Sequence, residues 1–236
     1  MGKTLSTLYG ATLIAKAMGR TPVRRAKLLI VCPKAVIPSW RKTIRSFPDA
    51  IILRPLITSY QSMRKLISVP PTAKSAKTTR TRNRRIARSG KPLIDFDIII
   101  FDEEQYLKNF GGSAMSMAAN TIAGLGTAYK RGSSPFVISS TATPGTNPLE
   151  FAIMSPWLSR LIDGNTAYTP PSQWGAFLAK HGFDVSKGRT WSWNPKDDHD
   201  VNEISHALAS PDAPYIMRTP SDIAGWPVQQ IIPIPM

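Results

Sequence analysis

Asp102-Glu103-Glu104-Gln105 follows directly on the apolar run Ile98-Ile99-Ile100-Phe101, and three consecutive acids in that position point to chemistry. Carboxylates at the carboxyl end of a buried parallel strand face the crevice where open α/β sheets bind ligands. There they can hold Mg²⁺ and polarise water. Such a site needs a phosphate cradle. Gly2-Lys3-Thr4 is the second half of a G-x-x-x-x-G-K-[ST] loop. In that pattern the Lys reaches the β and γ phosphates, the hydroxyl ligates Mg²⁺, and the following helix offers backbone donors and a favourable dipole. Thr141-Ala142-Thr143-Pro144 adds hydroxyls at another strand end, where they can sense a γ phosphate by hydrogen bonding.

These residues need a scaffold that brings them together. The run entered from Asp95-Phe96-Asp97 reads as a strand buried on both faces, and residues 27–33 read as a second, stopped by Pro33. Helical patterning covers residues 5–18, with Leu5, Leu8, Tyr9, Leu13 and Ile14 along one side, and residues 37–47 and 113–122. Further strand candidates are 50–53, 56–60 and 135–140. The alternation predicts an α/β fold, a mostly parallel sheet with helices on both faces. Beyond Pro148 the texture changes. Residues 149–161 are helical in period, whereas 163–171 and 187–200 look loop-like, punctuated by Trp174, Trp191 and Trp193. The expected division is a lobe over 1–160 and a less regular extension over 161–236.

The chain has 236 residues, 42% hydrophobic and 19% charged, an ordinary globular composition that excludes wholesale disorder. Its charge is unusual. Residues 1–91 carry 21 Lys and Arg against the single acid Asp49, or +20; residues 92–236 carry 9 basic and 14 acidic residues, or −5. The two add to the formal net charge of +15. So asymmetric a field predicts a polyanionic partner, nucleic acid before membrane. Its densest part is residues 70–92, where Lys74, Lys77, Arg80, Arg82, Arg84, Arg85, Arg88 and Lys91 follow Pro70-Pro71 with no acid. We expect a mobile basic loop there, with a short helix near Arg82–Arg88, making phosphate-backbone contacts; a solvated insertion is the plainer alternative.

One cysteine, Cys32, excludes an internal disulfide and fits a reducing cytoplasmic or nucleoid-associated setting, cellular or viral. No apolar run approaches the roughly 20 residues of a transmembrane helix. The myristoylation-like and transit-peptide-like features of the N-terminus are better explained by the phosphate loop. Asp197, Asp198, His199, Asp200 and His206 could be drawn as a metal site but lack regular ligand spacing, so a solvated acidic loop is preferred. His181, His199 and His206 make no nucleophile–base arrangement, and Cys32 reads as an inert core thiol.

Taken in order, these pieces resemble the first RecA-like lobe of superfamily 2 helicases and translocases of the Swi/Snf type. Met1-Gly2-Lys3-Thr4 is similar to the end of motif I, and Leu29-Ile30-Val31-Cys32-Pro33-Lys34 with Trp40 to motif Ia. Ile57-Thr58-Ser59-Tyr60 is similar to motif Ib. Asp102-Glu103-Glu104-Gln105 with Leu107-Lys108-Asn109 is similar to the D-E-x-H box and its L-K-N sequel, and Thr141-Ala142-Thr143-Pro144 with Asn147 to motif III. Met217-Arg218 before Pro227–Pro233 resembles the exit from lobe one. The resemblance implies an ATP- and Mg²⁺-dependent DNA translocase lobe. Within it, Gly2, Lys3 and Thr4 bind nucleotide, Thr4 and Asp102 hold Mg²⁺, Glu103 is the general base, and Thr141 and Thr143 couple with Gln105. It further implies that Lys34, Ser59 and Tyr60 touch nucleic acid, beside the arginines Arg80, Arg82, Arg84, Arg85 and Arg88 expected to do so from the charge of the basic loop. Gln105 stands where the family has His. The first Gly of motif I would precede Met1 and motifs IV–VI would follow the last residue, so the expectation is a fragment that works with a second RecA-like lobe. The alternative is a non-catalytic nucleic-acid-binding module.

Overall fold

The computed structural model describes residues 2–108, 113–125, 135–141, 145, 147–164, 169–188, 190–196 and 198–209. Its centre is a four-stranded, all-parallel sheet in the order β2-β1-β3-β4, built from β1 (Ala26–Cys32), β2 (Leu53–Ser59), β3 (Ile98–Asp102) and β4 (Phe136–Ser140). Position in the sheet follows composition. All five residues of β3 are buried, and only Lys27 of β1 is exposed, whereas β2 and β4, at the edges, are partly open. A run such as Ile-Ile-Ile-Phe has no polar face to turn to water, so it is stable only between two strands and two helical layers.

The two layers divide the strand residues by parity. Leu28, Ile30, Ile98 and Ile100 face α1 (Gly2–Ala17) and α2 (Ile37–Ser46). Leu29, Val31, Ile99 and Phe101 face the opposite layer, which includes α5 (Ala114–Ala123), α6 (Ser155–Asp163) and α7 (Trp174–Lys180). This parity aims the last residue of β3. Asp102 shares its face with Ile98 and Ile100, so its carboxylate is directed toward α1 and α2.

The inner side of α1 differs from the expectation. Leu8, Ala11, Thr12 and Ala15 are fully buried, while Leu5, Tyr9 and Leu13 remain 46–48% exposed. Small residues let the helix sit close to the strands, and Thr12 Oγ1 satisfies itself on Tyr9 O at 2.7 Å. Of residues 50–53, read as a strand, the first three belong to a 3₁₀ turn, Pro48–Ile52, and Leu53 begins a single β2.

The basic segment contains the short helix expected near Arg82–Arg88, extended at its N-terminal end. After a short turn, α3 (Pro71–Lys74), it forms α4 (Thr79–Ser89), N-capped by Thr78, whose hydroxyl accepts from Thr81 N at 3.1 Å. Ile86, 8% exposed, and Ala73 enter the same core cluster as α5, and Arg85 donates to Thr72 O. Gly90 closes the helix where a Cβ would come within 2.6 Å of Ile86 O and closer still to Ile67 and Ser68, so only glycine fits. One well-placed isoleucine and a glycine anchor a segment whose average composition looks disordered.

The C-terminal part is also more regular than expected. A hairpin, β5 (Val185–Lys187) and β6 (Trp191–Trp193), and the start of α8 (His199–Ala209) fall partly within residues 187–200, read as loop. Trp174, Leu178, Phe183, Ile204 and Ala207 join the cluster beneath β1 and β3. Met217, Arg218 and the 227–233 segment lie outside the described residues. No helix among the described residues is long and apolar enough to cross a membrane.

Candidate functional site

Three separated segments meet at the carboxyl end of β3. Lys3, in the first turn of α1, forms an ion pair and hydrogen bond with Glu103 Oε1, and its Nζ lies 3.6 Å from Asp102 Oδ1. Glu103 Oε2 accepts from Gln105 Nε2 at 2.8 Å, and Gln105 Oε1 accepts from Thr141 Oγ1, just beyond β4, at 2.6 Å. Thr7 Oγ1 lies 3.4 Å from Ser140 Oγ, tying α1 to the same strand end. The amide of Gln105, an acceptor on one side and a donor on the other, bridges the expected base to the expected coupling hydroxyl. Thr143 lies outside the described residues.

The backbone turns sharply to make this possible. Glu103 has φ 58° and ψ 56°, the one non-glycine residue in the left-handed region among those described, and its N–H donates to Ser140 O at 2.6 Å. A carboxylate residue held there costs about 1–3 kcal/mol, the kind of strain that persists where surrounding contacts over-determine it. Its effect is to send consecutive carboxylates in different directions. Asp102 faces α1 and α2, Glu103 opens to the crevice with its side chain 27% exposed, and Glu104 is buried.

The three acids therefore sit in three electrostatic environments. Burial pushes Glu103 up, but its bonds to Lys3 and Gln105 and the Lys3 charge outweigh that and hold it below the usual carboxylate range. Burial pushes Glu104 up to about 7, against a smaller opposing pull from the Ser139 hydroxyl, and its Oε2 has no hydrogen-bond partner. Asp102, 2% exposed, accepts from Trp40 Nε1 at Oδ2 (2.7 Å), while its main-chain oxygen accepts from Tyr60 OH (2.9 Å). Its Oδ1 is buried and without a hydrogen bond. An orphaned carboxylate oxygen beside a lysine ammonium and a helix N-terminus fits a phosphate-bound divalent cation. Thr4, half-buried in the same first turn, and Gly2 complete the expected cradle segment.

The other expected contacts divide. Lys34 is exposed on the turn after β1, and Arg82 and Arg85 are exposed on α4; the side chains of Arg80, Arg84 and Arg88 lie outside the described residues. Ser59 and Tyr60, expected to touch nucleic acid, are instead 6% and 1% exposed and present no surface to a polyanion; Tyr60 is turned inward by its bond to Asp102. Burial and then the charges of Glu104 and Asp102 push its phenol pKa up. Cys32 is a core thiol as expected, pushed up to about 12 chiefly by burial and further by the charge of Asp102. Lys108 of the L-K-N sequel pairs with Glu150 at 3.1 Å.

Sequence reasoning assigned no role to Trp40 and misassigned Tyr60. A tryptophan on the inner face of an amphipathic helix needs a hydrogen-bond partner for its N–H, which was the available signal. The drawn cluster around Asp197–Asp200 also resolves differently. Asp200 is 2% exposed and its Oδ2 accepts from Trp193 Nε1 and from Asp184 N, each at 2.8 Å, a structural use. No group of three or more His, Cys, Asp or Glu able to hold a metal occurs among the described residues. No protein-family model matches this chain, and no curated protein matches it significantly.

Proposed function

We propose that the chain is the nucleotide-binding lobe of a nucleic-acid-dependent ATPase of helicase or translocase type. The observation that carries this is the convergence of Lys3, Asp102, Glu103, Gln105 and Thr141 on one strand end. Lys3 would bind the β and γ phosphates, and Thr4 and Asp102 Oδ1 would hold Mg²⁺, which when bound neutralises phosphate charge. Glu103, ionised and close to Lys3, would accept the proton of the attacking water once phosphate draws the ammonium away. Gln105 would transmit the position of Glu103 to Thr141. The exposed cations of α4 and Lys34 supply the polyanion surface, and a second lobe would complete the transition-state charge stabilisation.

The test is equilibrium binding of a fluorescent ATP analogue to the 236-residue chain, with Mg²⁺ and with EDTA. Saturable, Mg²⁺-dependent binding that is lost in Lys3→Ala is expected. Its absence in the unaltered chain would leave the basic surface as the functional element and favour a non-catalytic nucleic-acid-binding module. With a second lobe supplied, Glu103→Gln should lower hydrolysis about 10²- to 10⁴-fold while sparing binding.

A further inference from the structure

Trp40 is the only residue of α2 that is fully buried, and its environment explains why the position is a tryptophan. An indole N–H can only donate, so burial without an acceptor would cost the full desolvation of that group. Its acceptor is Asp102 Oδ2, at 2.7 Å, across 62 positions of sequence. A leucine or phenylalanine would fill much of the same apolar space among Leu28, Ile30 and Ile100 but would leave that oxygen bare.

The bond has a directional consequence for Asp102. A carboxylate on a short side chain can turn about its last torsion and exchange its two oxygens. Here the turn would forfeit a charge-assisted hydrogen bond in a buried setting. The backbone beneath is held as well, since Tyr60 OH donates to the main-chain oxygen of Asp102 at 2.9 Å. With Oδ2 committed to the indole, Oδ1 is the oxygen left over. It is buried, without a hydrogen bond, and 3.6 Å from Lys3 Nζ. The carboxylate thus offers one defined oxygen in one defined direction, toward the crevice at the start of α1.

We infer that Trp40 is a positioning residue that locks the Asp102 carboxylate so that Oδ1 alone is presented to a divalent cation, and thereby sets the cation affinity of the nucleotide site. The inference rests on the nucleotide reading above. Trp40 touches neither cation nor nucleotide; it acts through Asp102, as hydrogen-bonded groups behind a metal ligand do. Removing such a partner weakens metal affinity by about 10- to 100-fold.

The chain contains six tryptophans, and Trp193 makes the same indole-to-carboxylate bond on Asp200, remote in sequence. That pair is an internal control. In the ¹⁵N-labelled chain, the Trp40 indole signal, assigned by its loss in Trp40→Phe, should shift when Mg²⁺ is added to the AMP-PNP-bound protein. The Trp193 signal, assigned with Trp193→Phe, should stay. Trp40→Phe should bind AMP-PNP in EDTA as the unaltered chain does, yet need about 10- to 100-fold more Mg²⁺ to reach its Mg²⁺-dependent affinity. A stationary Trp40 signal, or an unchanged Mg²⁺ requirement in Trp40→Phe, overturns the inference while the nucleotide reading survives. No saturable binding by the unaltered chain overturns both. Should Trp40→Phe fail to fold, selective ¹⁵N-tryptophan labelling with the other five indoles assigned by substitution identifies Trp40 by difference, and the shift decides.

Discussion

Two aspartates in this molecule are buried to the same extent and held the same way, yet only one belongs to the proposed nucleotide site. Asp102 and Asp200 are each 2% exposed, and each accepts an indole N–H at Oδ2, from Trp40 at 2.7 Å and Trp193 at 2.8 Å. The difference lies in what remains. Asp200 Oδ2 also takes the N–H of Asp184, and Asp200 has no buried oxygen left without a partner. Asp102 keeps Oδ1 buried, unbonded and facing a lysine. Burial and hydrogen bonding alone do not distinguish structure from chemistry; incomplete satisfaction beside an opposite charge does.

Exchanging the roles by mutation breaks this comparison most directly. Asp102→Asn keeps an acceptor for Trp40 and removes the charge, so Mg²⁺-dependent nucleotide affinity should fall at least about 100-fold, the scale of losing a metal ligand rather than a group behind it. Its thermal midpoint should hold or rise, since an incompletely satisfied buried charge burdens the fold. Asp200→Ala should do the reverse. It leaves the Trp193 indole and the Asp184 amide without acceptors, a loss of about 2–4 kcal/mol in urea unfolding, with nucleotide affinity unchanged in the folded protein. Loss of nucleotide binding in Asp200→Ala at temperatures where it is folded would show that the two carboxylates are not separable.

How far the sequence foresaw this contrast depends on the range of the interaction. Ile98–Phe101 was legible as a central strand because its composition leaves no alternative, and the placement of the acids at its carboxyl end was legible with it, although only Glu103 opens to the crevice. The branching of Asp102, Glu103 and Glu104 into three environments was not, because it depends on a left-handed glutamate, and nothing in a glutamate's preferences announces φ 58°. Nor was the Trp40 bond legible, since helical period buries a tryptophan without naming its acceptor. In the C-terminal half, three-residue strands and the polar start of α8 fall below the length at which periodicity speaks, so Asp200 read as a loop acid.

Glu104 sharpens the comparison from the other side, as a buried carboxyl raised to about 7 from 4.5 with one oxygen unpartnered. The folded state keeps the proton at pH values where the unfolded chain has lost it. The stability associated with this group is therefore fully present below about pH 4.5 and is lost as pH rises through about 7. Glu104→Gln removes that loss. In urea titrations the variant should gain roughly 3 kcal/mol over the parent at pH 8.5, and the gain should vanish toward pH 4.5. A pH-independent difference would mean that the folded protein releases the Glu104 proton over the same pH range as the unfolded chain, so that burial does not raise its pKa.

The same distinction between satisfied and unsatisfied charge predicts a smaller effect on α4. Arg85 is committed to Thr72 O, whereas the guanidinium of Arg82, also exposed, makes no bond to any described residue. If α4 tracks a phosphate backbone, each contacting cation contributes about 0.9 to the slope of log affinity against log salt. Arg82→Ala should reduce that slope by about 0.9, which amounts to about a three-fold smaller loss of DNA affinity between 50 and 200 mM salt, with no change in thermal midpoint. Arg85→Ala should lower the midpoint as well, because it frees the α3 turn. An unchanged slope in Arg82→Ala would place the polyanion elsewhere on the basic half, and Lys34 on the turn after β1 would be the next cation to remove.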